Sequence, residues 1–181
     1  MARVIIVDAG PLIAFATIDQ LQILQQLFSR LRITASVRDE CLALDRLDSQ
    51  RIAAAIQDGW LIVEPASQAA TAMSPSLGRG ESDSIHLARQ DPAQSLLIMD
   101  DRLARRYALR QGLQIVGSVR LLDLAERRGM IGDAKACIAQ MAALGYRVSP
   151  DLLDKIRNTE SDQGSHQSTT DNGRLESDAS N

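Results

Sequence analysis

The reading of this chain turns on VIIVDAGPLIAFA, residues 4–16, in which four β-branched residues run straight into a carboxylate, Asp8. A short, wholly apolar run bounded by turn residues reads as a strand buried on both faces, the kind found in a parallel sheet. A strand of that kind gains nothing by ending on a charge, so Asp8 either caps the following helix or shares a site with other groups. The remainder of the chain decides between these.

Four further runs have the same character: Leu31–Thr34, Leu61–Val63, Leu96–Met99 and Gln114–Val116. Between them lie helical patterns over Leu12–Phe28 (with a break near Asp19), Ser36–Leu44, Ser49–Asp58, Glu81–Gln90, Arg102–Gln111, Val119–Arg128 and Asp133–Leu144. Gly59, Gly112 and Gly129 follow three of these patterns, where a left-handed residue closes a helix. Alternation of short strands and helices predicts an α/β fold with a central, mostly parallel sheet of about five strands and helices on both faces. Ala66–Gly80, rich in small residues, reads as a mobile connection, and Asp151–Arg157 as one last short helix. Residues 158–181 hold Leu175 as their one large apolar side chain and read as a disordered, acidic, Ser-rich tail. The expected division is a folded domain over 1–157 and that tail.

Bulk properties narrow the class. Apolar content of 45% in 181 residues suits one globular domain. No apolar run approaches the roughly 20 residues of a membrane helix, and Asp8 interrupts any signal-like start. Cys41 and Cys137 lie far apart and read as reduced core thiols, so a cytoplasmic protein is expected. Net charge is −3, and residues 151–181 alone carry −4, leaving the body at +1. The body's cations are arginine apart from Lys135. That balance is no strong nucleic-acid footprint by itself.

In open parallel sheets ligands sit beyond the carboxyl ends of the strands. Asp8 lies there, and so does Asp100-Asp101 after the fourth run. At about 100° per residue, Glu81 falls on the apolar arc of its helix with Ile85 and Ala88, while Asp83 falls opposite, beside His86 and Gln90. Glu40 flanks the arc of Val37, Cys41 and Leu44, and Asp39 points to water. Carboxylates turned inward from two strand ends and two helices would repel one another if they converged. A hard divalent cation with oxygen ligands, Mg²⁺ or Mn²⁺, best relieves such a cluster. Zinc is disfavoured, since His86 reads as exposed and His166 lies in the tail. Two histidines supply no Ser-His-Asp set, and no phosphate-binding glycine loop is present. A phosphoacceptor domain would need a lysine near the last strand, whereas Lys135 and Lys155 sit in late helices. A phosphatase would need a nucleophile signature such as Asp-x-Asp after the first strand, and none is there.

VIIVDAGPLIAFATIDQLQIL, ASVRDE, LGRGESDSIHLA and LLIMDDRLARRYALRQGLQIVGSVRLL, in this order, resemble the PIN-domain family of metal-dependent ribonucleases. That family includes the VapC-type toxins of bacterial toxin–antitoxin pairs. The later GMI and GYRVSPDLLDKI are similar to the C-terminal end of a prokaryotic subgroup of small PIN proteins. The resemblance covers roughly residues 3–157 and implies a three-layer α/β/α fold with an acidic pocket. It implies that Asp8, Glu40, Glu81 and either Asp100 or Asp101, with Asp101 favoured, hold Mg²⁺ or Mn²⁺ and hydrolyse RNA phosphodiester bonds. Met99 and Ser36 depart from the family's usual Thr or Ser and Pro. Arg102, Arg105 and Arg106, on one side of the helix that also carries Arg110, are candidate RNA phosphate contacts. An antitoxin partner and a homodimer are expected by the same analogy. The competing expectation is an inactive PIN-fold module that binds RNA or a partner protein without cutting.

Overall fold

A computed structural model of the chain describes residues 3–65 and 76–147. It divides into a compact unit, Met1–Tyr146, and a second unit, Arg147–Asn181. The expected 157/158 boundary, the helix Asp151–Arg157 and the tail lie outside the described residues.

The first unit is built on strands β1 (Val4–Val7), β2 (Leu31–Thr34), β3 (Leu61–Glu64), β4 (Ser95–Ile98) and β5 (Gln114–Val116). They form one sheet in the order β3-β2-β1-β4-β5, and every pairing is parallel. The central pair, β1 and β4, runs in register from Val4 opposite Ser95 to Val7 opposite Ile98. Successive strand side chains face opposite sides, and Ile5, Ile6 and Val7 are all buried. Both faces of β1 are therefore covered, and this is why its sequence shows no alternation.

Eight helices lie among the described residues: α1 (Ala9–Thr17), α2 (Gln22–Phe28), α3 (Ala35–Cys41), α4 (Leu47–Gln57), α5 (Arg79–Ala88), α6 (Arg102–Arg110), α7 (Ser118–Arg127) and α8 (Ala134–Ala143). One core cluster joins Ile6 and Leu97 of the sheet to Ile85 and Ala88 of α5 and to Ala104 and Ala108 of α6. Elsewhere α1 packs on α3, α4, α7 and α8, with Leu12 and Phe15 fully buried. Each such large side chain contributes roughly 1.5–3 kcal/mol relative to exposure.

Element ends follow local chemistry. The expected helix Leu12–Phe28 is two helices, divided at Asp19, whose φ of +58° no helix accommodates. Arg51 of α4 holds that corner, with Nη1 donating to the Ala16 carbonyl at 2.6 Å and Nε 2.9 Å from Asp19 Oδ1. Gly59, Gly112 and Gly129 have φ of +76°, +73° and +68° as anticipated. Gly59 turns the chain into Trp60, the chain's single tryptophan, which is 8% exposed at the amino end of β3. The connection expected over Ala66–Gly80 ends earlier than its composition implied. Residues 66–75 lie outside the described residues, but Arg79 and Gly80 already form the first turn of α5, because Gly78 sits in extended backbone at its N-cap.

Candidate functional site

From β1 the chain steps outward to β2 and β3, and from β4 outward to β5. The order thus reverses between β1 and β4, where a crevice opens beyond the strand ends. Asp8 stands there, its N–H bonded to the Ile98 carbonyl at 3.0 Å. It occupies the N-cap position of α1, yet its side chain makes no capping hydrogen bond. The carboxylate is 6% exposed, and Ser84 Oγ donates to its Oδ1 at 3.3 Å.

Helix α5 closes one side of the crevice, and Gly80 sets how near it comes. A Cβ on Gly80 would lie 3.1 Å from Glu40 Oε2, 3.4 Å from Val37 Cγ2 and 3.8 Å from Asp8 Oδ1. The helix backbone thus fits between two carboxylates, and any side chain at this position would crowd them. One residue on, Glu81 is half-buried, and its Oε2 accepts from the Gly78 N–H at 2.8 Å. Glu40 of α3 stands at the exposed rim.

Electrostatics tie these acids together. Burial, then the charge of Glu81 and to a lesser degree that of Glu40, raise the Asp8 carboxyl from 3.8 to about 7, against the pull of the Ala9 N–H. Burial also raises Glu81; the Gly78 hydrogen bond opposes this, while Asp101 and Glu40 add to it. Burial, followed by the charges of Glu40 and Asp8, pushes the neighbouring Cys41 thiol up to about 12. That free cysteine is buried and stays a thiol, while Cys137, also free, is only half-buried.

The acids after β4 part ways. Asp101 caps α6, its Oδ1 accepting from Leu103 N and Ala104 N at 2.8 and 2.9 Å, and its charge reaches Glu81. Asp100 is tied to the start of α7 and to Tyr146, which follows α8. Its Oδ1 accepts from Ser118 N at 2.9 Å, and its Oδ2 from Ser118 Oγ at 2.5 Å and from the Tyr146 hydroxyl. Asp8, Glu40, Glu81 and Asp101 are thus linked as charge neighbours, while both oxygens of Asp100 are held by Ser118 and Tyr146, whose hydroxyl also feels the charge of Asp8.

Three sequence expectations are corrected. Asp83 does not face water: its side chain is 16% exposed and accepts from Ser36 Oγ at 2.5 Å, because α3 packs on the face of α5 opposite its apolar arc. His86 is half-buried, beside a 280 Å³ cavity also lined by Thr34, Glu64, Asp83 and Gln90. Arg105 does not extend from α6 with its neighbours. Its Nη1 donates to the Met99 carbonyl at 2.8 Å, while Arg102 and Arg106 are exposed. Ser84, Ser118 and Tyr146 were missed by sequence reasoning. Only Ser84 carried a signal, three residues after Glu81 on the same helix face.

The donor set suits a hard cation. It is all oxygen, it is crowded, and its deepest member is driven toward neutrality by burial and by its neighbours, a cost that a divalent ion removes. Among the described residues, however, no three His, Cys, Asp or Glu side chains converge on one point as placed. Nor is any helix among the described residues long and apolar enough to cross a membrane.

Comparison with known proteins gives the family. A family model described as a PIN domain matches residues 4–161, and the chain belongs to the PIN-domain family. Members of that family are generally nucleases. Among solved structures, a PilT N-terminus domain protein from the hyperthermophilic archaeon Sulfolobus solfataricus P2 is similar, with 21% identity over 67% of this chain and 92% of that one and a TM-score of 0.48. No curated protein matches the chain.

Proposed function

We propose that this protein is a metal-dependent ribonuclease in which Asp8, Glu40, Glu81 and Asp101 hold Mg²⁺ or Mn²⁺ beside an RNA phosphodiester. The observation that carries this reading is Asp8, a buried carboxylate at the sheet's switch point, among acids that raise its pKa and with a 3.3 Å hydrogen bond from Ser84. A stability role alone gives no reason to bury it there. Bound at this centre, a divalent ion supplies acidified water for in-line attack at phosphorus and charge relief for the leaving 3′-oxygen. Ser84 holds the Asp8 carboxylate in orientation. Glu81, whose Oε2 accepts from the Gly78 N–H, would contribute its carboxylate to the ion, and Arg102 and Arg106 would meet phosphates flanking the scissile bond. We further propose a cytoplasmic setting, a homodimer, and a toxin role with an antitoxin that blocks the acidic crevice.

A second reading has one observation in its favour: among the described residues no three donors are already converged. On it, the chain is a PIN-fold module that binds RNA or a protein without cutting. Thermal melts of the purified chain and Asp8→Asn, with and without Mn²⁺, separate the two when paired with an RNA cleavage assay. Binding to the native state stabilises by about 2.7 kcal/mol at one hundred times Kd. The nuclease reading expects that rise in the unaltered chain, its loss in Asp8→Asn, and metal-dependent cleavage that vanishes with it. Absence of both rise and cleavage, with RNA present, leaves the binding module.

A further inference from the structure

The paired acids after β4 look interchangeable in sequence, but their hydrogen bonds assign them different work. Asp101 uses one oxygen to cap α6, and among the described residues none donates to the other. Asp100 spends both oxygens on donors from outside its own strand and helix. Tyr146 reaches it through the end of α8. Gly145, with φ of +93°, reverses the chain, and Tyr146 N–H bonds back to the Met141 carbonyl at 3.0 Å. This left-handed helix ending fixes the residue that follows it. The tyrosine hydroxyl thereby lies beside the first turn of α1, 3.9 Å from where a Cβ on Gly10 would be. The fit is close on the other side too, since a Cβ on Gly117 would meet Asp100 Oδ1 at 2.8 Å and Arg105 Nη1 at 2.6 Å.

Resting on the metal-centre reading above, we infer that Tyr146 is a positioning residue: with Ser118 it clamps Asp100, and so fixes the turn from which Asp101 presents its free oxygen to the centre. Asp100 is then the anchor, and Asp101 the carboxylate that faces Glu81. The half-buried tyrosine links the ends of β4 and α8 next to the start of α1, so its loss frees the Met99–Asp101 turn without unfolding the sheet. Among the described residues, Ser118 and Tyr146 are the side chains that donate to Asp100.

The test uses the full chain carrying Tyr146→Phe, which removes only the hydroxyl, with Ser49→Ala as a stability control. Ser49 donates to the Cys41 carbonyl at 2.8 Å and does not touch the centre's acids. Two readouts apply: Mn²⁺ affinity by calorimetry, and amide hydrogen exchange of the metal-free protein at Leu103, Ala104 and Ser118. Tyr146→Phe is expected to weaken Mn²⁺ binding roughly tenfold, the scale on which partners of metal ligands act, and to speed exchange at all three amides. Ser49→Ala is expected to lower the melting temperature and change neither. Unaltered exchange at Leu103 and Ala104 in Tyr146→Phe overturns the clamp whether or not metal binds. Asp100→Asn that loses Mn²⁺ binding as fully as Asp8→Asn, with unchanged exchange, also overturns it by making Asp100 a ligand. Faster exchange in a chain whose unaltered form binds no Mn²⁺ keeps the clamp and removes the metal-centre reading.

Discussion

Asp8 converts the arrangement of the crevice into a dependence on pH. Its carboxyl titrates near 7 in the folded chain and near 3.8 when unfolded. Between those values the native state holds a proton that the unfolded state has lost, so raising the pH favours unfolding. The slope is at most about 1.4 kcal/mol per pH unit. Metal-free Asp8→Asn should therefore melt above the unaltered chain at pH 8, with the gap closing toward pH 4, as followed by thermal melts in chelator. A constant gap across that range would mean that the native carboxyl is not raised. Much of this residue-scale picture was legible beforehand. A charge ending a buried strand and a glutamate on an apolar helix arc are local anomalies, visible without a structure. Asp83 was misread because the helical arc assumes water on the far side, and α3 stands there instead. Asp101 was favoured over Asp100 by resemblance alone, because their hydrogen bonding differs through Ser118 and Tyr146, partners of Asp100 that are 18 and 46 residues distant.

At the scale of elements, strand cores were the most legible part. β1, β2 and β5 coincide with the apolar runs, since a strand buried on both faces leaves little polar ambiguity. Helix ends shifted by a residue or more, as backbone caps decide them and side chains report caps weakly. The break at Asp19 is held by Arg51 rather than by turn chemistry alone, so Arg51→Ala tests an element junction. It should cost about 1.5–3 kcal/mol, the range for a hydrogen bond involving a charged group, measured by urea unfolding. Mn²⁺ affinity should stay unchanged, because the corner lies at the carboxyl end of α1 and Asp8 precedes its amino end. A loss of Mn²⁺ binding in Arg51→Ala would instead show that α1 moves as one rigid piece between them.

For the whole molecule, the order β3-β2-β1-β4-β5 puts every candidate acid at one edge of the sheet, whichever helix delivers it. The proposed homodimer belongs to this scale as well. Leu103 and Leu109 on α6 are 54% and 58% exposed, and Leu44 and Leu47 are 55% and 68% exposed. A partner subunit would give apolar surface of that kind a place. Light scattering coupled to size exclusion should then give about twice the 19.7 kDa of one chain, and a single-chain mass at every concentration would remove the dimer. The sequence foretold the sheet because periodicity is local. It was silent on which surfaces meet a second chain, since an exposed leucine looks the same with or without a partner.

The opposite edge of the sheet has its own use. Trp60 is the chain's only indole, nearly sealed at the amino end of β3, while the acids crowd the carboxyl ends. The protein thus carries a native optical probe whose emission follows global unfolding and which lies at the opposite ends of the strands from the proposed ion site. Metal titrations that leave this fluorescence unmoved while raising the melting temperature would report occupancy of the crevice without rearrangement of the sheet. Quenching by a paramagnetic ion such as Mn²⁺ should stay weak for the same reason, so the two edges can be read separately in one cuvette.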